Sequence, residues 1–120
     1  MILADTSVWV EHFRGKNSQL SAYLQHGEVW THPFVIGELA CGNLPQRKQT
    51  LHLLTLLPNV TLAEHGEVLT FLNTYSLQGI GLSWIDIHIL TSAVISHTRL
   101  WTLDRRLASI AGKLSVAHII

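Results

Sequence analysis

The chain reads as an α/β domain of three layers, a mostly parallel sheet of about four or five strands with helices over both faces. Three observations predict this. Short apolar runs alternate with segments of helical periodicity along the chain, and strands separated by helices pair in parallel. With 120 residues, 48% of them apolar and 13% charged, the chain can bury one core and is too short to expect two. Finally, the first run, Met1 to Ala4, passes straight into Asp5, Thr6 and Ser7, as a buried strand does when it hands over to a helix.

Taken in order, that first strand leads to a helix over Val8 to Phe13, with Thr6 or Ser7 as its N-cap. Gly15 to Ser18 makes a turn, and Leu20, Tyr23 and Leu24 repeat at helical spacing until Gly27. Glu28 to Thr31 is a short strand. Pro33 follows, at a helix start where its missing N–H costs nothing, and that helix runs to Cys41. Another starts at Asn43-Leu-Pro45, carries the stripe of Leu51, Leu54 and Leu57, and stops at Pro58. Val60 to Leu62 is a third strand. Ala63 to Gln78 is an amphipathic helix closed by Gly79, Ile80 to Ser83 a loop, and Trp84 to His97 the next helix. Leu100 to Leu103 reads as a central strand, Asp104 to Ala111 as a helix, and Val116 to Ile119 as the last strand.

Composition narrows the function. Lys plus Arg equal Asp plus Glu at 8 each, so no overall positive field announces a polyanion partner and any such ligand must be held locally. No run is long enough for a membrane span, and the first residues lack the basic start of a secretory signal. A lone cysteine, Cys41, allows no internal disulfide, and a cytoplasmic setting is expected. The 8 histidines show no zinc-ligand spacing. The apolar excess and four tryptophans imply a surface that another chain covers, with Trp9 as its candidate.

The informative residues are acids. The chain has only three aspartates, Asp5, Asp86 and Asp104, and each falls at an expected strand end or helix start. Each has a local explanation: Asp5 ends a strand, Asp86 completes a capping box with Ser83, and Asp104 caps the helix after it. Together they crowd the strand carboxyl edge, where open α/β sheets place their ligands. Glu38 joins them. Its helical neighbours are Phe34, Val35, Cys41 and Gly42, an apolar or small face on which a carboxylate needs a cation or donors. Hard carboxylate oxygens without thiol or imidazole companions select magnesium, with manganese as a substitute. Such an ion orients a phosphate, stabilises its charge and activates a water. Thr6 and Ser7, and the basic pair Arg105 and Arg106 after Asp104, are candidates for positioning a phosphate.

Four segments carry a family resemblance: Ile2-Leu-Ala-Asp5-Thr-Ser-Val-Trp9, His32-Pro-Phe-Val-Ile-Gly-Glu38-Leu-Ala-Cys-Gly42, Gly79-Ile-Gly-Leu-Ser-Trp-Ile-Asp86 and Leu100-Trp-Thr-Leu-Asp104-Arg-Arg-Leu107. In this order they resemble a PIN domain, and in detail the VapC toxins of bacterial type II toxin–antitoxin pairs. The resemblance spans nearly the whole chain. It implies a magnesium-dependent endoribonuclease with Asp5, Glu38, Asp86 and Asp104 as catalytic, metal-holding acids, RNA as substrate, a homodimer, and a cognate antitoxin over the site.

Other readings compete. A phosphatase with an aspartyl nucleophile would carry a second acid two residues on, where Ser7 stands. A receiver-like domain would want a lysine at the same edge, and Lys16, Lys48 and Lys113 follow no strand. A non-catalytic metal-binding or partner-interaction domain explains the apolar excess but not the gathered acids.

Overall fold

The structure is a computed structural model and describes residues 1–119. Three short strands, β1 (Ile2–Ala4), β2 (Val29–Trp30) and β3 (Arg99–Trp101), form a sheet in the order β2-β1-β3. Both pairings are parallel: Ile2 faces Val29 and Arg99, Leu3 faces Trp30 and Leu100, and Ala4 faces Trp101. Seven helices flank it among the described residues: α1 (Thr6–Phe13), α2 (Ser18–Gln25), α3 (Pro33–Ala40), α4 (Arg47–Thr55), α5 (His65–Thr74), α6 (Trp84–Ile95) and α7 (Arg105–Lys113). None of them is long and apolar enough to cross a membrane.

The expected α/β class with a parallel sheet holds, and the strand number is lower than expected. The run from Val60 makes only one bridge, Thr31 to Asn59, and the run from Val116 only one, Leu100 to Ala117. Both continue the sheet at its two edges. Pro58 and Asn59 open the first, and Pro58 offers a carbonyl to Thr31 N–H at 2.8 Å but has no N–H of its own. The polypeptide there is held sideways instead: Ser96 Oγ accepts from Thr61 N at 2.8 Å and Ser92 Oγ from Ala63 N at 3.0 Å.

Helix boundaries shift for local reasons. The helix α1 starts at Thr6 rather than Val8, with Asp5 in the N-cap position. Asn17 caps α2 by accepting from Leu20 N. Pro33 occupies the first turn of α3 as expected, behind His32, whose Nδ1 accepts the Phe34 amide at 2.9 Å. Glu64 and Glu67 form a capping box at α5, so this helix starts at His65 and not at Ala63.

The core lies where β1 meets the helices. Leu3, Ala4, Val8, Leu20, Val35, Ile89, Leu90 and Leu107 are fully buried. The helix α6 runs through this core, buried at every position from Ile87 to Ala93. Trp9 is 2% exposed and packs in the same core, stacked on Phe13 at 5.8 Å. The expectation that it forms a partner surface is therefore overturned: α1 lies across the sheet, and the face that carries Trp9 is the inner one.

Because all three strands run the same way, their carboxyl ends share one edge. That edge carries Asp5 after β1, the start of α3 after β2, and Thr102 to Asp104 after β3. The helix α6 leads into β3, so its N-terminus, with Asp86, lies at the same end.

Candidate active site

Asp5 is the centre of this edge. It is 6% exposed, and its amide donates to the Trp101 carbonyl at 2.8 Å. Although it stands at the N-cap of α1, its side chain makes no capping bond. Asp5 Oδ2 instead accepts the hydroxyls of Thr102 at 2.8 Å and Ser7 at 3.1 Å. Each hydroxyl in turn accepts an amide from the loop after β3: Thr102 Oγ1 takes Asp104 N at 3.1 Å, and Ser7 Oγ takes Leu103 N at 3.0 Å. Two hydroxyl relays thus suspend the segment 102–104 from one carboxylate.

Burial raises the Asp5 carboxyl above its ordinary range. The Thr102 hydroxyl, the Thr6 amide and the Ser7 hydroxyl pull it back, and the charge of Asp86 pushes it up again. Among the described residues the one charge that bears on Asp5 is that of another acid.

The other three acids each spend one oxygen on a local donor. Glu38, half-buried on α3, accepts the Thr6 hydroxyl at 2.6 Å, which ties α3 to α1 beside Asp5. Asp86 Oδ2 accepts from Ser83 N at 2.9 Å while Ser83 Oγ accepts from Asp86 N, the expected capping box. Asp104 Oδ1 accepts from Leu107 N at 2.9 Å and caps α7, also as expected. Among the described residues the second oxygen of each of these three accepts no hydrogen bond.

In this arrangement no three His, Cys, Asp or Glu side chains among the described residues form a ready ligand set. Glu38, Asp86 and Asp104 each accept from a separate donor, Thr6, Ser83 and Leu107. The donor chemistry still fits a hard divalent cation: all-oxygen ligands, a free oxygen on each of three acids, and a fourth acid buried beside like charge.

The remaining candidates are divided. Thr6 and Ser7 lie beside the acids, their hydroxyls bonded to Glu38 and Asp5 rather than turned to a phosphate. Neither caps α1, contrary to expectation, because Asp5 holds that position. Arg105 and Arg106 lie exposed in the first turn of α7. The Arg106 side chain passes so close over Gly81, at φ +90°, that a Cβ there would collide with it. It therefore packs on the loop that leads to Asp86. Thr102 went unnoticed in the sequence; the signal was present as a hydroxyl two residues before Asp104, but its partner is 97 positions away.

Beside Glu38 a groove of about 340 Å³ opens between α1 and the segment after α3, lined by Thr6, Val10, Phe13, Leu39 and Leu44 among others.

The PIN domain family model matches residues 2–113. Ribonuclease VapC32 of Mycobacterium tuberculosis is 42% identical over 118 residues, covering 98% of this chain and 95% of the relative, in both strain CDC 1551 / Oshkosh and strain H37Rv. With a match over nearly its whole length, the chain belongs to the PIN domain family, as a member similar to the VapC ribonucleases.

Proposed function

We propose that the chain is a divalent-metal-dependent endoribonuclease and the toxin of a toxin–antitoxin pair. The observation that carries this reading is Asp5, a buried carboxylate at the carboxyl end of β1 that accepts the hydroxyls of Thr102 and Ser7 and caps no amide. A buried carboxylate is costly in a protein that does not use it. The similarity to a protein named as a ribonuclease supports the same reaction class.

Asp5, Glu38, Asp86 and Asp104 would hold the ion, magnesium or manganese, through the oxygens that local donors leave free. Once bound, it supplies charge stabilisation at the phosphate and a water of lowered pKa. The chain does the rest. Ser7 and Thr102 fix the rotamer of Asp5, and Thr6 fixes Glu38, so that the acids are oriented before substrate arrives. The N-terminus of α7 carries Arg105 and Arg106 where the helix dipole is already positive, an unfavourable place for cations unless an anion joins them. These two residues and that helix end would take the RNA phosphates.

The antitoxin would cover the groove beside Glu38 with an apolar segment and direct an arginine at the acids, in the place of the metal. A homodimer and a cytoplasmic setting complete the proposal.

The test is cleavage of total RNA by the purified chain. Magnesium or manganese should support cleavage, chelator should stop it, and Asp5→Asn should reduce it to background while circular dichroism remains unchanged. Cleavage that survives both chelator and Asp5→Asn would refute the assignment.

A further inference from the structure

Five rings form a continuous row next to the acids. His32 and Phe34 have centroids 5.0 Å apart, Phe34 and His88 4.8 Å, His88 and Trp84 4.7 Å, and Trp84 and His65 5.1 Å. The interplanar angles run from 56° to 86°, so no ring is capped by a parallel neighbour. The row is anchored by buried members, His32 at 2% and His88 at 7% exposure, while Phe34 at 39% and Trp84 at 37% reach the surface. Its place is specific: Phe34 is one helical turn before Glu38 on the same face of α3, and Trp84 opens α6 two residues before Asp86.

Resting on the nuclease reading, we propose that Phe34 and Trp84, set on either side of His88, form a stacking platform for the bases of single-stranded RNA at the cleavage site. Exposed aromatic faces accept any base through its π-face, whereas phosphates need positive charge. With 8 basic against 8 acidic residues, the chain has no net charge with which to attract the RNA backbone. The buried rings of His32 and His88 hold Phe34 and Trp84 in place, so the row presents aromatic faces to the surface. A separate exposed apolar surface lies at Leu53 and Leu56 near α4.

The probe is a fluorescein-labelled single-stranded RNA of twelve nucleotides, compared with the same length made of abasic sugar-phosphate, both titrated in chelator to prevent cutting. Intact RNA should bind, the abasic strand should bind at least ~10-fold more weakly, and Phe34→Ala and Trp84→Ala should each weaken the intact strand by ~10-fold. Trp84→Phe should keep near wild-type affinity. If an alanine variant fails to fold, Trp84→Leu, which keeps bulk without a π-face, takes its place and should bind weakly.

Equal affinity for intact and abasic strands, no binding at all, or wild-type affinity in both variants would overturn the platform. So would variants that retain affinity but change sedimentation, which would make the row a protein interface. A parallel cleavage assay in magnesium separates the two readings. Base-dependent binding without cleavage sinks the nuclease and leaves the platform, and cleavage with base-independent binding does the reverse.

Discussion

Thr102 and Asp5 are 97 positions apart in sequence and share a 2.8 Å hydrogen bond, in which the Thr102 hydroxyl donates to Asp5 Oδ2. The same hydroxyl accepts the Asp104 amide at 3.1 Å. One side chain thus couples the end of β1 to the loop that carries the fourth acid, and the position of Asp104 relative to Asp5 is set by Thr102.

Thr102→Val tests that coupling, since it keeps the shape and removes both bonds. It should cost about 1–2 kcal/mol of stability in a denaturant titration, because the Asp104 amide loses its acceptor and Asp5 a donor. The Thr102 bond lowers the Asp5 carboxyl, so the variant's carboxyl should ionise at higher pH. The acid limb of the pH profile for RNA cleavage should therefore move upward, and a limb that stays in place would dissociate Thr102 from catalysis.

Thr6→Val should release Glu38, whose carboxylate accepts one hydrogen bond among the described residues, from Thr6 Oγ1 at 2.6 Å. Cleavage should fall ~10-fold, with thermal stability changed by less than about 1 kcal/mol because the pair is only half-buried. Glu38→Gln keeps the bond and removes the charge, and it should lose far more activity than Thr6→Val. Steady-state cleavage rates decide the order.

How much of this was legible in the sequence depended on distance along the chain. The capping box of Ser83 and Asp86 and the cap at Asp104 span three residues each, and could be read from spacing alone. The expected edge followed from the positions of the acids beside apolar runs, since parallel strands place all carboxyl ends together, but among the described residues no three of the acids come together as a ligand set. The links from Thr102 to Asp5 and from Thr6 to Glu38 could not be read, because they depend on strand register and helix packing. Trp9 misled for a related reason: composition counted tryptophans, but only packing decides that Trp9 and Trp101 are buried while Trp84 emerges. The two edge runs looked like strands because their residues are β-formers, yet each makes one bridge, for their pairing is limited by Pro58 on one side and the short β3 on the other.

His32 should make stability pH-dependent. Its Nδ1 must be unprotonated to accept the Phe34 amide, and burial, with His88 close by, lowers its pKa from 6.5 to about 4. An unfolded chain takes up the proton below about pH 6.5 and the folded one only near pH 4, so stability falls as pH drops through that window and rises with pH across it. The loss should be on the order of 2–3 kcal/mol by pH 4. His32→Asn keeps an N-cap acceptor without titrating. Urea titrations from pH 7 to pH 4 should show a flatter profile for the variant than for the wild type.

Asp5→Asn should raise the melting temperature in chelator, because the native Asp5 carboxylate is buried with Asp86 as its charged neighbour. Magnesium should raise the melting temperature of the wild type and leave the variant's unchanged. Differential scanning fluorimetry with and without the ion provides both comparisons.

The central claim is that four separated acids act as one divalent-ion centre, and metal titration tests it most directly. Magnesium, or manganese where a stronger signal is needed, is titrated calorimetrically into the wild type and into Asp5→Asn, Glu38→Gln, Asp86→Asn and Asp104→Asn. Asparagine and glutamine retain the local bonds to Thr102, Thr6, Ser83 and Leu107, so the fold is preserved while one charge is lost. The wild type should bind the ion, and every variant should bind it at least ~10-fold more weakly. A wild type that takes up no ion, or a Glu38→Gln variant that binds as the wild type does, would contradict the shared centre.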